Sequence, residues 1–218
     1  MQAPMIVPSL LSANFANLEH DIHLVEKCGA SMLHLDIMDG HFVPNITIGP
    51  VVIESIRKMT RLHLQSHLMI ENPDAYISAF ADAGSDSIIV HHEATNDPIR
   101  TLRAIKKHGK KAGIALKPKT EVSAIEAFLD ELDVILIMSV EPGFGGQSFI
   151  LESVKKIEDV SALLKKRNLR VPIGVDGGIN SKTIASVARS GAEHLIAGNA
   201  VFRGDIVENM KVLRSIIK

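Results

Sequence analysis

The sequence predicts an α/β fold closed into a (β/α)8 TIM barrel, and three observations carry that reading. Short β-branched runs alternate with helical stretches along the chain, eight such pairs can be counted, and 218 residues give each pair about 27 residues. Eight units in this length favour closure over an open, doubly wound parallel sheet, which stands as the alternative. The length suits a one-domain barrel and suffices to bury roughly 70% of the unfolded chain's surface, so residues 1–218 are read as one domain. No linker, low-complexity tract or charge block interrupts the alternation.

In order, the strands are expected near Ile6 to Ser9, Met32 to Asp36, Leu62 to His67, Ser87 to His91, Ala112 to Leu116, Val134 to Met138, Val171 to Val175 and His194 to Ala197. A helical candidate follows each strand. Asn17 to Lys27, Pro73 to Ala83 and Pro98 to His108 carry apolar residues at helical spacing. Pro73 and Pro98 suit first-turn positions, where a missing N–H costs nothing, and Gly29, Gly84 and Gly109 suit the C-terminal stops.

Composition narrows the function. Apolar residues make up 46% of the chain without a run of eighteen that could span a bilayer, and the N-terminus lacks the basic segment of a signal peptide. A soluble cytoplasmic protein is expected. Lys plus Arg number 24 against 25 for Asp plus Glu, which leaves no excess charge to hold nucleic acid over a broad surface. The single cysteine, Cys28, excludes an internal disulfide and an all-cysteine zinc site, and its apolar helical setting favours packing over reactivity.

In a barrel, side chains at the C-terminal strand ends face the one mouth where loops can build a site. His34 and Asp36 lie two apart on one strand and therefore share a face, while Leu33, Leu35 and Ile37 take the other. His67 and Asp176 end the third and seventh strands. Two imidazoles and two carboxylates suit one divalent ion, Zn2+, Fe2+, Mn2+ or Co2+, with coordination positions left for substrate oxygens. His91, His92 and Glu93 form a denser cluster, yet neighbouring strand residues face opposite sides, which disfavours a second ion there. His20, His23, His63, His108 and His194 are read as surface or helix residues and given no role.

Glycine-rich turns form a second constellation: Gly143-Phe144-Gly145-Gly146 after strand six, Gly177-Gly178 after strand seven and Gly198-Asn199 after strand eight. Barrel loops after strands seven and eight commonly hold phosphate through backbone N–H groups, and glycine permits the close approach. The loop from Ser139 to Ile150 is long enough to close over a substrate, with Phe144 as an apolar cover.

Several longer stretches resemble the ribulose-phosphate 3-epimerase family. They are Pro8-Ser9-Leu10-Leu11-Ser12, the run from His34 through HFVPNITIGP to Pro50, His67-Leu68-Met69, MSVEPGFGGQSFI from Met138 to Ile150, and Val175-Asp176-Gly177-Gly178. The resemblance covers nearly the whole chain. It implies a ribulose-phosphate-binding barrel with metal ligands His34, Asp36, His67 and Asp176, and with Asp36 and Asp176 as the proton-transfer pair. It further implies that Ser9, His67, Gly143, Phe144, Gly145, Gly146, Asp176, Gly177, Gly178, Gly198 and Asn199 contact a phosphorylated ketose, in a homo-oligomer serving the pentose phosphate pathway.

The implied chemistry explains the residue types. Inverting C3 of a ketopentose phosphate requires one carboxylate acting as base to remove the proton beside the C2 carbonyl and another carboxyl acting as acid to return one to the opposite face. The intermediate is a cis-enediolate, and a metal near O2 and O3 offsets its developing charge. One aspartate must then be protonated although it lies beside the ion, which calls for a raised pKa in a dry site. Met38, Met69 and Met138 end strands two, three and six, where they read as core packing or as a polarizable sleeve around the reacting atoms.

Three positions depart from the family pattern. Gln65 stands where an acidic residue is common and leaves out a carboxylate that would support a ligand; Asn199 replaces a frequent serine; Lys117 replaces a frequent asparagine. A hexulose-phosphate 3-epimerase acting on allulose 6-phosphate would use the same machinery and is the competing enzyme reading. Related decarboxylases use an Asp-x-Lys-x-x-Asp array, and Met38 occupies the lysine position. A sugar-phosphate sensor, the non-enzymatic alternative, has no need of two opposed aspartates with a metal.

Overall fold

A computed structural model describes residues 3–217 of the chain. Eight strands, β1 (Met5–Pro8), β2 (Met32–Met38), β3 (His63–Met69), β4 (Ser87–His91), β5 (Lys111–Leu116), β6 (Val134–Met138), β7 (Ile173–Asp176) and β8 (His194–Ala197), form one parallel sheet in the order β1-β8-β7-β6-β5-β4-β3-β2. A parallel bridge between Ser9 and His34 joins the two end strands, so the sheet closes into a barrel. The open-sheet alternative is thereby excluded.

The helices α1 (Leu18–Lys27), α2 (Pro50–Met59), α3 (Ile77–Asp82), α4 (Pro98–Lys107), α5 (Ser153–Lys166), α6 (Ile184–Arg189), α7 (Asn199–Phe202) and α8 (Ile206–Ile216) follow the strands. Pro98 opens α4 as expected, and the Asp97 carboxylate accepts the Arg100 N–H at 3.1 Å as its cap. No helix among the described residues is long and apolar enough to cross a membrane.

Two elements differ from the expectation. The helix expected over Pro73 to Ala83 divides into a 3-10 turn, Pro73–Ala75, and α3, joined through Tyr76 at φ −115°, ψ −5°. Between β5 and β6 the chain forms 3-10 turns over Val122–Glu131 instead of an α-helix. Its apolar residues Val122, Ile125 and Phe128 recur every third position, the period of a 3-10 helix, and the kink at Phe128 lets Leu129 bury as well. β7 begins at Ile173, later than expected, because Pro172 accepts from the Ile135 N–H but has none to donate.

The strands bury both faces. Leu33, Leu35 and Ile37 pack outward against the helices in the large outer core, while Val7, Ile89, Ala115, Leu136 and Ile196 fill the barrel interior. Two histidines set aside as surface or helix residues instead open strands and face this interior. His63 begins β3 half-buried, with its Nε2 2.9 Å from the Ser87 hydroxyl, and His194 begins β8 at 7% exposure. Both stand at the lower end of the barrel, opposite the mouth, where inward positions alternate as they do above. Cys28 caps α1 and is partly buried against the outer core.

Candidate active site

The ligand pattern begins with strand register. β2 and β3 pair His34 with Gln65, Asp36 with His67 and Met38 with Met69, so each inward residue has an inward neighbour beside it. A slip of one residue would turn the whole set outward. β7 brings Asp176 to the same level, next to Met138 of β6.

Four donor atoms converge there. His34 Nε2 lies 3.2 Å from His67 Nδ1, 3.4 Å from Asp36 Oδ1 and 3.9 Å from Asp176 Oδ2. His67 Nδ1 lies 3.3 Å from Asp36 Oδ1 and 3.8 Å from Asp176 Oδ2. Donors about 2.1 Å from one ion at the corners of a tetrahedron stand about 3.4 Å apart. The three separations among His34, Asp36 and His67 thus already match a metal shell, Asp176 stands farther out at 3.8 and 3.9 Å, and all four atoms fall within 4.8 Å of one another. The residues fit a divalent ion bound by two nitrogens and two oxygens.

The surrounding contacts orient these ligands. Gln65 Oε1 lies 2.8 Å from His34 Nδ1, so the side-chain carbonyl accepts the Nδ1–H and directs Nε2 toward the other three donors. The carboxylate expected to be missing is replaced by an amide oxygen, and the ring it serves is His34. The Ser9 hydroxyl donates to Asp36 Oδ2 at 2.6 Å, which occupies the oxygen turned away from the histidines.

Electrostatics separates the two aspartates. Burial would raise the Asp36 carboxyl, but His34 and His67 outweigh it and hold Asp36 far below the usual carboxylate range. Burial and then the Asp36 charge raise Asp176 well above that range. One carboxyl is therefore held ionised and the other is poised to carry a proton, the division an acid–base pair needs. Burial alone would depress the His34 imidazole; the charge of Asp36 overcomes it and raises His34 to about 9. His67, depressed mainly by burial to about 3, stays neutral.

Above this cluster opens a cavity of about 340 Å³. Ser9, Asp36, Asp176, Gly143, Phe144, Gly145, Gly146, Gly177, Gly178, Gly198 and Asn199 all line it, as do Met38, Met69 and Met138. His34 and His67 are fully buried beneath its floor, so of the expected sugar contacts His67 alone is absent from the lining. Gly178 adopts φ +65°, and a Cβ there would stand 2.6 Å from the Phe149 backbone nitrogen. Glycine is thus required by the packing of the β7 loop under the β6 loop, independently of any ligand.

The loop after β6 is tied down at two points. Asn45 Nδ2 donates to the Gly143 carbonyl at 2.8 Å, and Gln147 Nε2 donates to the carbonyls of Glu141 and Phe144 at 2.7 and 2.9 Å. Phe144 stands at the rim, 53% exposed. The Asn199 side chain reaches toward Gly146, with Nδ2 2.6 Å from where a Cβ would sit.

Sequence reasoning passed over Ser12 and Asn180, which also line the cavity, and undervalued His91 and Glu93. His91 Nδ1 lies 3.1 Å from Glu93 Oε2, while His92 turns away and stacks on Phe128 at 6.2 Å. The 3-10 turn His92–Ala94 that follows β4 breaks strand alternation and brings residues 91 and 93 together. Lys117 sits with its ammonium 3.9 Å above the Phe42 ring, away from the donor cluster.

The model of the ribulose-phosphate 3 epimerase family matches residues 5–202. Ribulose-phosphate 3-epimerase of Bacillus subtilis is 50% identical over 198 residues, covering 90% of this chain and 91% of its own. The chloroplastic ribulose-5-phosphate-3-epimerase of Arabidopsis thaliana is 46% identical, covering 97% of this chain and 76% of its own. Among solved structures, a ligand complex of KGPDC from Streptococcus mutans superposes with a TM-score of 0.75 at 14% identity, covering 99% of this chain and 98% of that one. 3-Keto-L-gulonate-6-phosphate decarboxylase of Vibrio cholerae superposes at 0.72 with 17% identity over 99% of this chain and 98% of its own. Those likenesses establish the barrel fold. With a family model spanning nearly all of it and relatives half identical over most of their length, the chain belongs to the ribulose-phosphate 3-epimerase family.

Proposed function

We propose that this chain interconverts D-ribulose 5-phosphate and D-xylulose 5-phosphate by moving a proton off and onto C3. The observation that carries the reading is the pair of unequal carboxyls, Asp36 and Asp176, on one cavity above two buried imidazoles. In one direction ionised Asp36 removes the C3 proton and protonated Asp176 returns one to the opposite face; in the other direction the roles exchange. The electron pair released from C3 passes into the C2 carbonyl, giving a planar cis-enediolate between the two acids.

Held by His34, Asp36, His67 and Asp176, a divalent ion, Zn2+, Fe2+, Mn2+ or Co2+, supplies Lewis-acid compensation for that developing charge, worth on the order of several kcal/mol. The chain's own residues do the rest. The Ser9 hydroxyl aims Asp36, the two histidines keep it ionised, and the three methionines keep water from the carbanion side. Gly178, Gly198 and Asn199 offer the phosphate end their backbone N–H groups, Gly177 gives its N–H to the Asp176 carboxylate beside them, and Gly143 to Gly146 form the cover. We further read the enzyme as a cytoplasmic homo-oligomer, which sedimentation of the purified protein tests for subunit number.

The deciding experiment is an assay in D2O with ribulose 5-phosphate and allulose 6-phosphate in parallel, on wild type and Asp176→Asn. Wild type should epimerise the pentose in preference. The variant should lose at least about 100-fold in epimerisation yet still exchange the C3 hydrogen of one pentose epimer through Asp36. Exchange of both epimers in the variant, or preference for the hexulose, would refute the assignment.

A further inference from the structure

His91 ends β4 with no exposed surface and lies behind His67 on the side away from the donor cluster. The two Nε2 atoms are 2.9 Å apart, so one must donate and the other accept. His67 Nδ1 is the atom that faces His34, Asp36 and Asp176. To bind a cation it must present a lone pair, which puts the hydrogen of the neutral ring on Nε2. His91 Nε2 therefore accepts, and the His91 hydrogen sits on Nδ1, 3.1 Å from Glu93 Oε2. The other Glu93 oxygen accepts the Lys117 N–H at 2.9 Å and the Thr120 hydroxyl. Every hydrogen in the series then points outward from the metal ligand toward a single carboxylate.

The packing holds this series in place. The His67 and His91 rings stack at 5.0 Å with 29° between their planes, and Phe42 covers His91 at 4.9 Å. An opposing arrangement exists, because Asp36 Oδ1 could accept a hydrogen from His67 Nδ1 at 3.3 Å and so remove the ligand nitrogen. Both end groups are carboxylates that only accept, and Glu93, 3.1 Å from His91 Nδ1 against 3.3 Å between Asp36 and His67 Nδ1, favours the outward arrangement.

We propose that Glu93 and His91 are positioning residues that lock His67 as its Nε2–H tautomer and so keep Nδ1 available to the metal, an inference that rests on the metal site proposed above. Gln65 performs the matching task for His34 from the other side. Glu93→Gln discriminates: the amide has the same shape but can donate to His91 Nδ1, which reverses both rings.

The test pairs nitrogen-15 NMR of the histidine rings in metal-free protein with Co2+ binding measured by chelator competition. Wild type should show His67 as Nε2–H and His91 as Nδ1–H. Glu93→Gln should bind Co2+ about tenfold or more weakly, with a mixed or reversed His67 tautomer and an unchanged urea midpoint, whereas Glu93→Asp should recover part of the affinity. Equal Co2+ affinity in wild type and Glu93→Gln, or Nδ1–H at His67 in wild type, overturns the relay alone. Failure of wild type to take up Co2+ overturns the metal site itself.

Discussion

His194 should make the barrel acid-labile through a group that takes no part in the chemistry. It faces the barrel interior at the lower end, 7% exposed, and its Nδ1 has no hydrogen-bond partner among the described residues. Burial, aided by the nearby His63 and Lys111, depresses its pKa from 6.5 to about 4. Unfolding therefore releases a ring that takes up a proton more readily than the folded one. Stability from this group is complete above about 6.5 and is lost as pH falls from there toward 4. The full span corresponds to about 3 kcal/mol, and at pH 5 about 2 kcal/mol of it should already be gone. His194→Leu removes the titration without breaking a hydrogen bond, and Met5 and Met32 offer apolar neighbours at that end. Urea unfolding of metal-free wild type and variant at pH 7.5 and pH 5 measures the effect, because the histidines remote from His194 titrate in both proteins and cancel. The variant should lose about 2 kcal/mol less between the two pH values. Parallel losses, within roughly 0.5 kcal/mol, would refute the reasoning.

Three further outcomes follow from the site. Gln65→Ala removes the acceptor for His34 Nδ1 and should weaken Co2+ or Zn2+ binding by about 10- to 100-fold in chelator competition, with the thermal midpoint of the metal-free protein little changed. Because the His34 imidazole is raised to about 9, metal uptake at pH 7 must expel its proton, so affinity should fall by about tenfold per unit of acidification; calorimetry in two buffers of different ionisation enthalpy counts the proton, and a count of zero contradicts the arrangement. Asn45→Ala frees the Gly143 carbonyl from its clasp and should raise KM about two- to tenfold, the worth of one hydrogen bond, with faster amide exchange confined to residues 141–147.

Much of this architecture was legible because parallel strands buried on both faces impose two separate demands. In β2, Leu33, Leu35 and Ile37 satisfy the outer layer, which leaves His34 and Asp36 pointing inward at a spacing only a site explains. The same logic applies to His63 and His194, but each stands at the very start of its strand, where no preceding alternation marks the face. The 3-10 segment from Val122 to Glu131 was masked for a related reason, since a period of three and a period of 3.6 coincide over so short a run. His91 and Glu93 were undervalued because strand geometry was extended one turn too far. Their convergence depends on a 3-10 turn that the sequence between them does not announce.

A two-acid epimerase looks symmetrical on paper, and this one is built unequal. Asp36 accepts the Ser9 hydroxyl and lies at 3.3 to 3.4 Å from both imidazoles, with its side chain 3% exposed. Asp176 stands 3.8 and 3.9 Å from the same rings and is 17% exposed to the cavity. In the proposed mechanism the free enzyme rests with its proton on Asp176, whose carboxyl is the raised one of the pair, ready for the epimer whose C3 hydrogen faces Asp36. One turnover in that direction leaves the proton on Asp36, where the two histidines disfavour it. The enzyme is then primed for the reverse reaction until the proton returns to Asp176. Asp176 is the more open of the two toward the cavity, so in the proposed mechanism the proton returns to it through the emptied site.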